Sequence, residues 1–333
     1  MPRNYTIDYI RLLSAFDVIL IHLAPSSLAA EKMTHYFLIS AVPFFLFTSL
    51  YLFQSKAASF DKIPFSRILI PYVSWSAIYL ISRSIRHLTD ISTAKEYDWL
   101  AIVFLGGSAV QLYFLPLLLC YLIAASAINT LFVDRDCKIL NKFLAFFSIL
   151  FLIIISDLLK GSSYLGFGGD FFSKALYYTF FSQAVLTLLP HFIKIRNPVF
   201  FCSVISAFFL LLLAVNGAEK ITLITTFVPV LLSGSILIAC LMRPTYKVSN
   251  ITNSVLSTTY GVYLCHHLFI ETIEFALNKL SANYLPYSIP SKLAFAFIVI
   301  FLSVLFVLFI RRWAILAFLL FGEARSNKIP ESA

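Results

Sequence analysis

The chain has 333 residues, 60% hydrophobic and 12% charged, with a net charge of +9 and a mean hydropathy of +0.90. A soluble globular domain carries about 25% charged residues, so this composition excludes one and implies an integral membrane protein. Its basic residues lie between apolar segments, where they serve as topology signals and contacts for anionic membrane lipid; no nucleic-acid partner is expected.

Windows of about 20 apolar residues, the length that crosses a bilayer, recur along the whole sequence. They predict helices near 7–24, 34–54, 66–86, 109–132, 142–159, 171–190, 198–215, 221–242, 253–279 and 288–310. The expected fold is therefore an all-α, polytopic bundle of about ten transmembrane helices. It forms a single domain over 1–333, with 311–333 as a cytoplasmic tail. Within that tail the apolar run 314–321 suits the membrane surface. The larger share of the 25 basic residues falls on the side of the N-terminus, which places both termini in the cytoplasm of an inner (plasma) membrane protein. The five cysteines show neither metal-ligand spacing nor a disulfide framework. The first apolar run carries Asp8, Arg11 and Asp17 and lacks a small-residue cleavage site, so the first helix is expected to be retained. No loop is long enough to be a separate domain. The longest outside segments are 87–108 and 160–170, the second a glycine- and aromatic-rich connector, and no internal repeat is visible.

Taken in chain order, the first helix is the anomaly. An ionisable residue inside a membrane span costs roughly 2.5–3.5 kcal/mol, which marks it as functional by default. At about 100° per residue, Arg11 and His22 lie about 20° apart and Asp8 about 40° from His22, so the three share one face. Arg11 and His22 are separated by about 16 Å along the axis, whereas Asp17 points about 120° away from Arg11. The second segment contains the aromatic run Pro43-Phe44-Phe45-Leu46-Phe47-Thr48-Ser49. The third opens on Arg67-Ile68-Leu69-Ile70-Pro71-Tyr72, with Trp75 close behind. The fourth opens on Gln111-Leu112-Tyr113-Phe114-Leu115-Pro116. The ninth contains Ser257-Thr258-Thr259-Tyr260-Gly261-Val262-Tyr263-Leu264-Cys265-His266.

In this order these motifs resemble the acyltransferase-3 family of integral membrane acyltransferases, from about residue 5 to 310. The opening Arg, ten residues, His and the late Tyr-Leu-x-His are the most specific matches. Leu50, Gln111 and Tyr113 depart from the family pattern, which often has glycine, His and Trp there. The resemblance implies an acyl group, commonly acetyl, carried by cytoplasmic acetyl-CoA as donor substrate. The acceptor it implies is a glycan or lipid-linked oligosaccharide, typically a sugar hydroxyl of a surface polysaccharide such as O-antigen. No metal is implied. Arg11, His22 and His266 are the catalytic residues it marks, with Asp8, Arg67, Tyr72, Trp75, Gln111 and Tyr263 in substrate or donor binding. The chemistry suits these side chains. An alcohol attacking a thioester needs a base of near-neutral pKa, the carbonyl oxygen gains charge that a nearby cation stabilises, and a planar guanidinium binds phosphate well.

Other ionisable groups have plainer readings. His267 lies four residues before Glu271, with Glu274 on the same row, as a structural pair or a proton relay. Asp17 reads as a hydrogen-bonded carboxyl within the bundle, and Cys265 as a small hydrophobe. The leading functional expectation is a membrane O-acetyltransferase acting on a surface polysaccharide. The alternatives are a transporter or flippase of a lipid-linked glycan and a catalytically degenerate family member.

Overall fold

A computed structural model describes residues 3–23, 40–54, 60–89, 99–132, 222–280 and 288–323. The predicted helices 142–159, 171–190 and 198–215, and the connector 160–170, lie outside the described residues. The other seven predicted segments fall on helices, and the described residues contain no strand. The helices are α1 (Tyr5–His22), α2 (Ala41–Gln54), α3 (Phe65–Thr89), α4 (Trp99–Phe104), α5 (Phe114–Phe132), α6 (Thr222–Met242), α7 (Asn250–Ser257), α8 (Thr259–Leu280), α9 (Ile289–Ile310) and α10 (Ala314–Phe321). Two of them, over Phe65–Ile85 and Ile289–Ile310, are long and apolar enough to cross a membrane.

α1 is the central element, packed on α2, α6, α7, α8 and α9. Its start is fixed by Asn4, whose side chain accepts from the Thr6 amide at 3.0 Å and donates to the Cys240 carbonyl at 3.1 Å. An N-cap of this kind satisfies one of the orphan amides of a helix start and contributes about 1 kcal/mol. Ile19, Leu20 and Leu23 pack against Ile270 of α8 and Phe295, Ala296 and Val299 of α9. Ile7 packs with Phe44 and Phe47 of α2 and Leu237 of α6. The largest core cluster joins α2, α3, α5 and α8 around Trp75, Tyr79, Tyr121 and Tyr263.

Two boundaries differ from expectation, each for a local reason. The ninth segment is two helices, broken at Thr258. The hydroxyls of Ser257, Thr258 and Thr259 bond back to the carbonyls of Ser254, Val255 and Leu256, and this competes with continuous helical bonding. The fourth span begins at Phe114, because 105–113 is a partly buried turn held by Tyr72. The Tyr72 hydroxyl donates toward the carbonyls of Ile102 (2.6 Å) and Val103 (3.0 Å) and accepts from the Gly106 amide at 3.0 Å. Gly106 sits at φ 77, where a Cβ would lie 2.3 Å from the Tyr113 nitrogen. The apolar run 314–321 is α10, docked on α3: Trp75 donates from its indole nitrogen to the Leu320 carbonyl at 2.8 Å. Trp313, Ile315, Leu316 and Leu319 stay exposed.

Arg311, just after α9, ties three elements. Its guanidinium donates to the Glu323 carboxylate beyond α10, to the Ser257 hydroxyl at 2.7 Å and to the Ser257 carbonyl at 2.8 Å. A lysine cannot reproduce that planar fork. Arg311→Lys is therefore expected to lower stability by about 1.5–3 kcal/mol, the range for charged hydrogen bonds, measured by thermal unfolding in detergent. Gly106→Ala forces a left-handed backbone on a residue with a Cβ and is expected to be destabilised by more than the roughly 1–2 kcal/mol of the backbone term alone. A melting curve matching the wild type would contradict the buried turn.

Candidate active site

At the end of the bundle where α1 begins, a cavity of about 1040 Å³ is lined by residues from α1, α2, α3, α6, α7 and α8 and by the ends of α9 and α10. Its ionic lining is Arg3, Arg11, Arg67 and Arg311 against Asp8 and Glu323, a surplus of two positive charges. Two of the four guanidiniums are committed within the protein. Arg311 is held as described. Arg3 donates to Asp8 Oδ2 at 2.6 Å and to Asn253 Oδ1 at 2.8 Å, tying α1 to α7.

The other two are available. Arg11 reaches Asp8 only at 3.7 Å; its buried Nε has no hydrogen-bond partner among the described residues, and its guanidinium lies 6.0 Å from the centroid of Phe45. Arg67 is exposed to the cavity and has no ion-pair partner among the described residues. Its backbone is fixed by a chain of local causes. Pro71 has no N–H to offer the Arg67 carbonyl four residues earlier, and the Tyr260 hydroxyl donates there instead at 3.3 Å. Gly322, at φ 62, lets the end of α10 close on the same carbonyl, where a Cβ would stand 2.6 Å from the oxygen.

The second constellation lies at the far end of α1. The ring of His22 stacks on His266 at 5.5 Å and meets the edge of His267 at 5.1 Å, while His266 and His267 are 6.3 Å apart. His266 is buried, and its Nδ1 donates to the Tyr263 carbonyl at 2.7 Å. A nitrogen facing a carbonyl carries a proton, so in the neutral ring Nε2 is the lone pair, and it has no partner among the described residues. His267 places Nε2 at 3.3 Å from Glu271 Oε1.

Between the two constellations stands an aromatic wall. Tyr263 contacts Phe45 at 5.5 Å, Phe114 at 4.9 Å and His266 at 5.8 Å, and its hydroxyl donates to the Gln111 backbone carbonyl at 2.9 Å. The Gln111 side chain is buried close to Tyr79, and neither of its amide atoms makes a short, well-aligned hydrogen bond among the described residues.

The structure thus divides the residues singled out in the sequence. Asp8, Arg11 and Arg67 line the cavity. His22, His266 and Tyr263 lie together, away from the cavity lining, with Gln111 alongside. Tyr72 and Trp75 bond to backbone groups and shape the scaffold around both. Sequence reasoning passed over Arg3 and Arg311, which look like ordinary topology residues flanking apolar runs, and Tyr260, whose role depends on the proline in another helix. Two uncommitted guanidiniums thus stand at one end of α1 and a cluster of three imidazoles at the other.

Comparison with curated proteins and with solved structures gives no match. The acyltransferase-3 family profile, described as an acyltransferase domain, matches residues 4–312, from the N-cap of α1 to the end of α9. That match spans both constellations and nearly the whole chain, and so the chain belongs to the acyltransferase-3 family of acyltransferases.

Proposed function

We propose that this protein is a multi-pass inner-membrane enzyme that transfers acetyl from cytoplasmic acetyl-CoA to a sugar hydroxyl of a surface polysaccharide, such as a lipid-linked O-antigen repeat. The observation that carries this reading is the pair of uncommitted guanidiniums, Arg11 and Arg67, in a cavity with surplus positive charge. Coenzyme A presents phosphates at one end and its thioester at the end of a long flexible arm. Arginine forks suit the phosphates, and a long flexible arm suits the roughly 16 Å along α1 between Arg11 and His22.

In this reading His22 is the base and His266 accepts a further hydrogen bond from the sugar. The acceptor oxygen bonds to the thioester carbonyl carbon as its proton passes to His22. The carbon–sulfur bond then breaks, and the thiolate leaves with the proton. Arg11, loosely held by Asp8, lies on the same α1 face as His22 and steadies the donor. Gln111 and Tyr263 line the approach to the reacting groups.

Two sets of variants test this. Arg67→Ala removes a donor contact remote from the chemistry, and is expected to raise KM for acetyl-CoA about tenfold with kcat little changed. That difference shrinks at high salt, because exposed charges are screened. His22→Ala and Arg11→Ala are each expected to abolish acetylation with the protein still present in the membrane. Mass spectrometry and NMR of surface glycans from the variant strains read the outcome, and full acetyl incorporation by either variant overturns the assignment.

A further inference from the structure

Three imidazoles packed together face a charge problem when one of them takes a proton. A buried positive charge without a partner is strongly unfavourable, and neighbouring imidazoles offer dipoles but no negative charge. His266 is held by the Tyr263 carbonyl, which orients the ring without carrying charge. Of the three, His267 is the one whose ring faces a carboxylate among the described residues, with Nε2 at 3.3 Å from Glu271 Oε1. Glu271 lies one helical turn along α8, and both side chains are largely buried. With Nε2 donating to the carboxylate, Nδ1 of His267 is a buried lone pair without a partner among the described residues. The same ring meets His22 at 5.1 Å and Tyr79 at 6.3 Å. A pair needed only to staple a helix does not require a place against two other histidines.

We propose that His267 and Glu271 are a positioning pair for acyl transfer: the Glu271 carboxylate, acting through His267, supplies the countercharge for the imidazolium formed on His22. The inference rests on the acyl-transfer reading above. The imidazolium exists only between the arrival of the acceptor proton and its departure with the thiolate, and Glu271 stabilises it without gaining or losing a proton. A negative charge placed in advance at the point where positive charge develops lowers the barrier without strengthening ground-state binding.

The test uses membranes containing the full chain, with labelled acetyl-CoA as probe and the native membrane glycans as acceptor. Glu271→Gln keeps the shape and the acceptor oxygen but removes the charge. Its kcat is expected to fall about a hundredfold, within the range for acid–base groups, with KM for acetyl-CoA within about twofold of wild type. Glu271→Asp, which restores the charge, is expected to recover at least about tenfold of that loss. A merely structural carboxylate tolerates the isosteric amide, so a Glu271→Gln kcat within about threefold of wild type overturns the pairing role. If that variant does not accumulate in the membrane, His267→Gln is measured in its place against the same thresholds. Transfer by the wild type that survives these substitutions overturns the pair alone. No transfer by the wild type overturns the acyl-transfer reading and the pair with it.

Discussion

The Asp8 carboxylate is the constraint on which the mouth of the cavity depends. It is buried in the first turns of α1 and takes its tight contact from Arg3, at 2.6 Å, rather than from Arg11 in its own helix, at 3.7 Å. One carboxylate therefore balances charge for two guanidiniums while immobilising only one. Were Arg11 held as closely, part of its donor fork would be turned inward onto Asp8 and less of it would face the cavity. Placing Asp8 in the first turn also suits the helix, since the partial positive charge at an N-terminus favours an acidic side chain.

A similar economy governs the opposite wall. Pro71 leaves the Arg67 carbonyl without its usual helical donor. Tyr260 answers that need from α8, and Gly322 brings the end of α10 onto the same spot. One missing backbone hydrogen thereby fixes three elements around a side chain that remains free to meet a ligand. The rigidity is in the backbone and the freedom is in the guanidinium, which is the arrangement a binding site requires.

Much of this was legible in the sequence. The helical spans follow from apolar length, and the placing of Arg11 and His22 on one face of α1 follows from its period. The resemblance to the acyltransferase-3 family came from motifs in order. What was not legible depends on contacts between elements far apart in the chain. The break at Thr258 needed three successive hydroxyls to bond backward, where the hydropathy of 253–279 shows only an unbroken span. The buried turn at 105–113 is organised by Tyr72, a tyrosine some thirty residues away whose hydroxyl no periodicity can aim. Arg3 and Arg311 bear the commonest label a membrane sequence offers, a cation beside an apolar run, and only their partners distinguish them. The pairing of His267 with Glu271 was visible as an i, i+4 spacing, but its contact with His22 was not.

The separation of the two constellations has an electrostatic consequence. A donor with several phosphates calls for guanidiniums, whereas a base calls for surroundings that tolerate a transient positive charge. Two unit charges interact by about 4 kcal/mol at 4 Å and by about 1 kcal/mol at 16 Å, for an effective dielectric constant of about 20. Arg11 and His22 at eleven positions' spacing lie near the second distance, so the cavity's cations would oppose an imidazolium only weakly. Placing the arginines beside the histidines would shorten the route for the thioester but would set donor binding against proton acceptance. A wall of Phe45, Phe114 and Tyr263 fills the interval with groups that carry no formal charge. Glu271 lies on the histidine side of that wall, against His267.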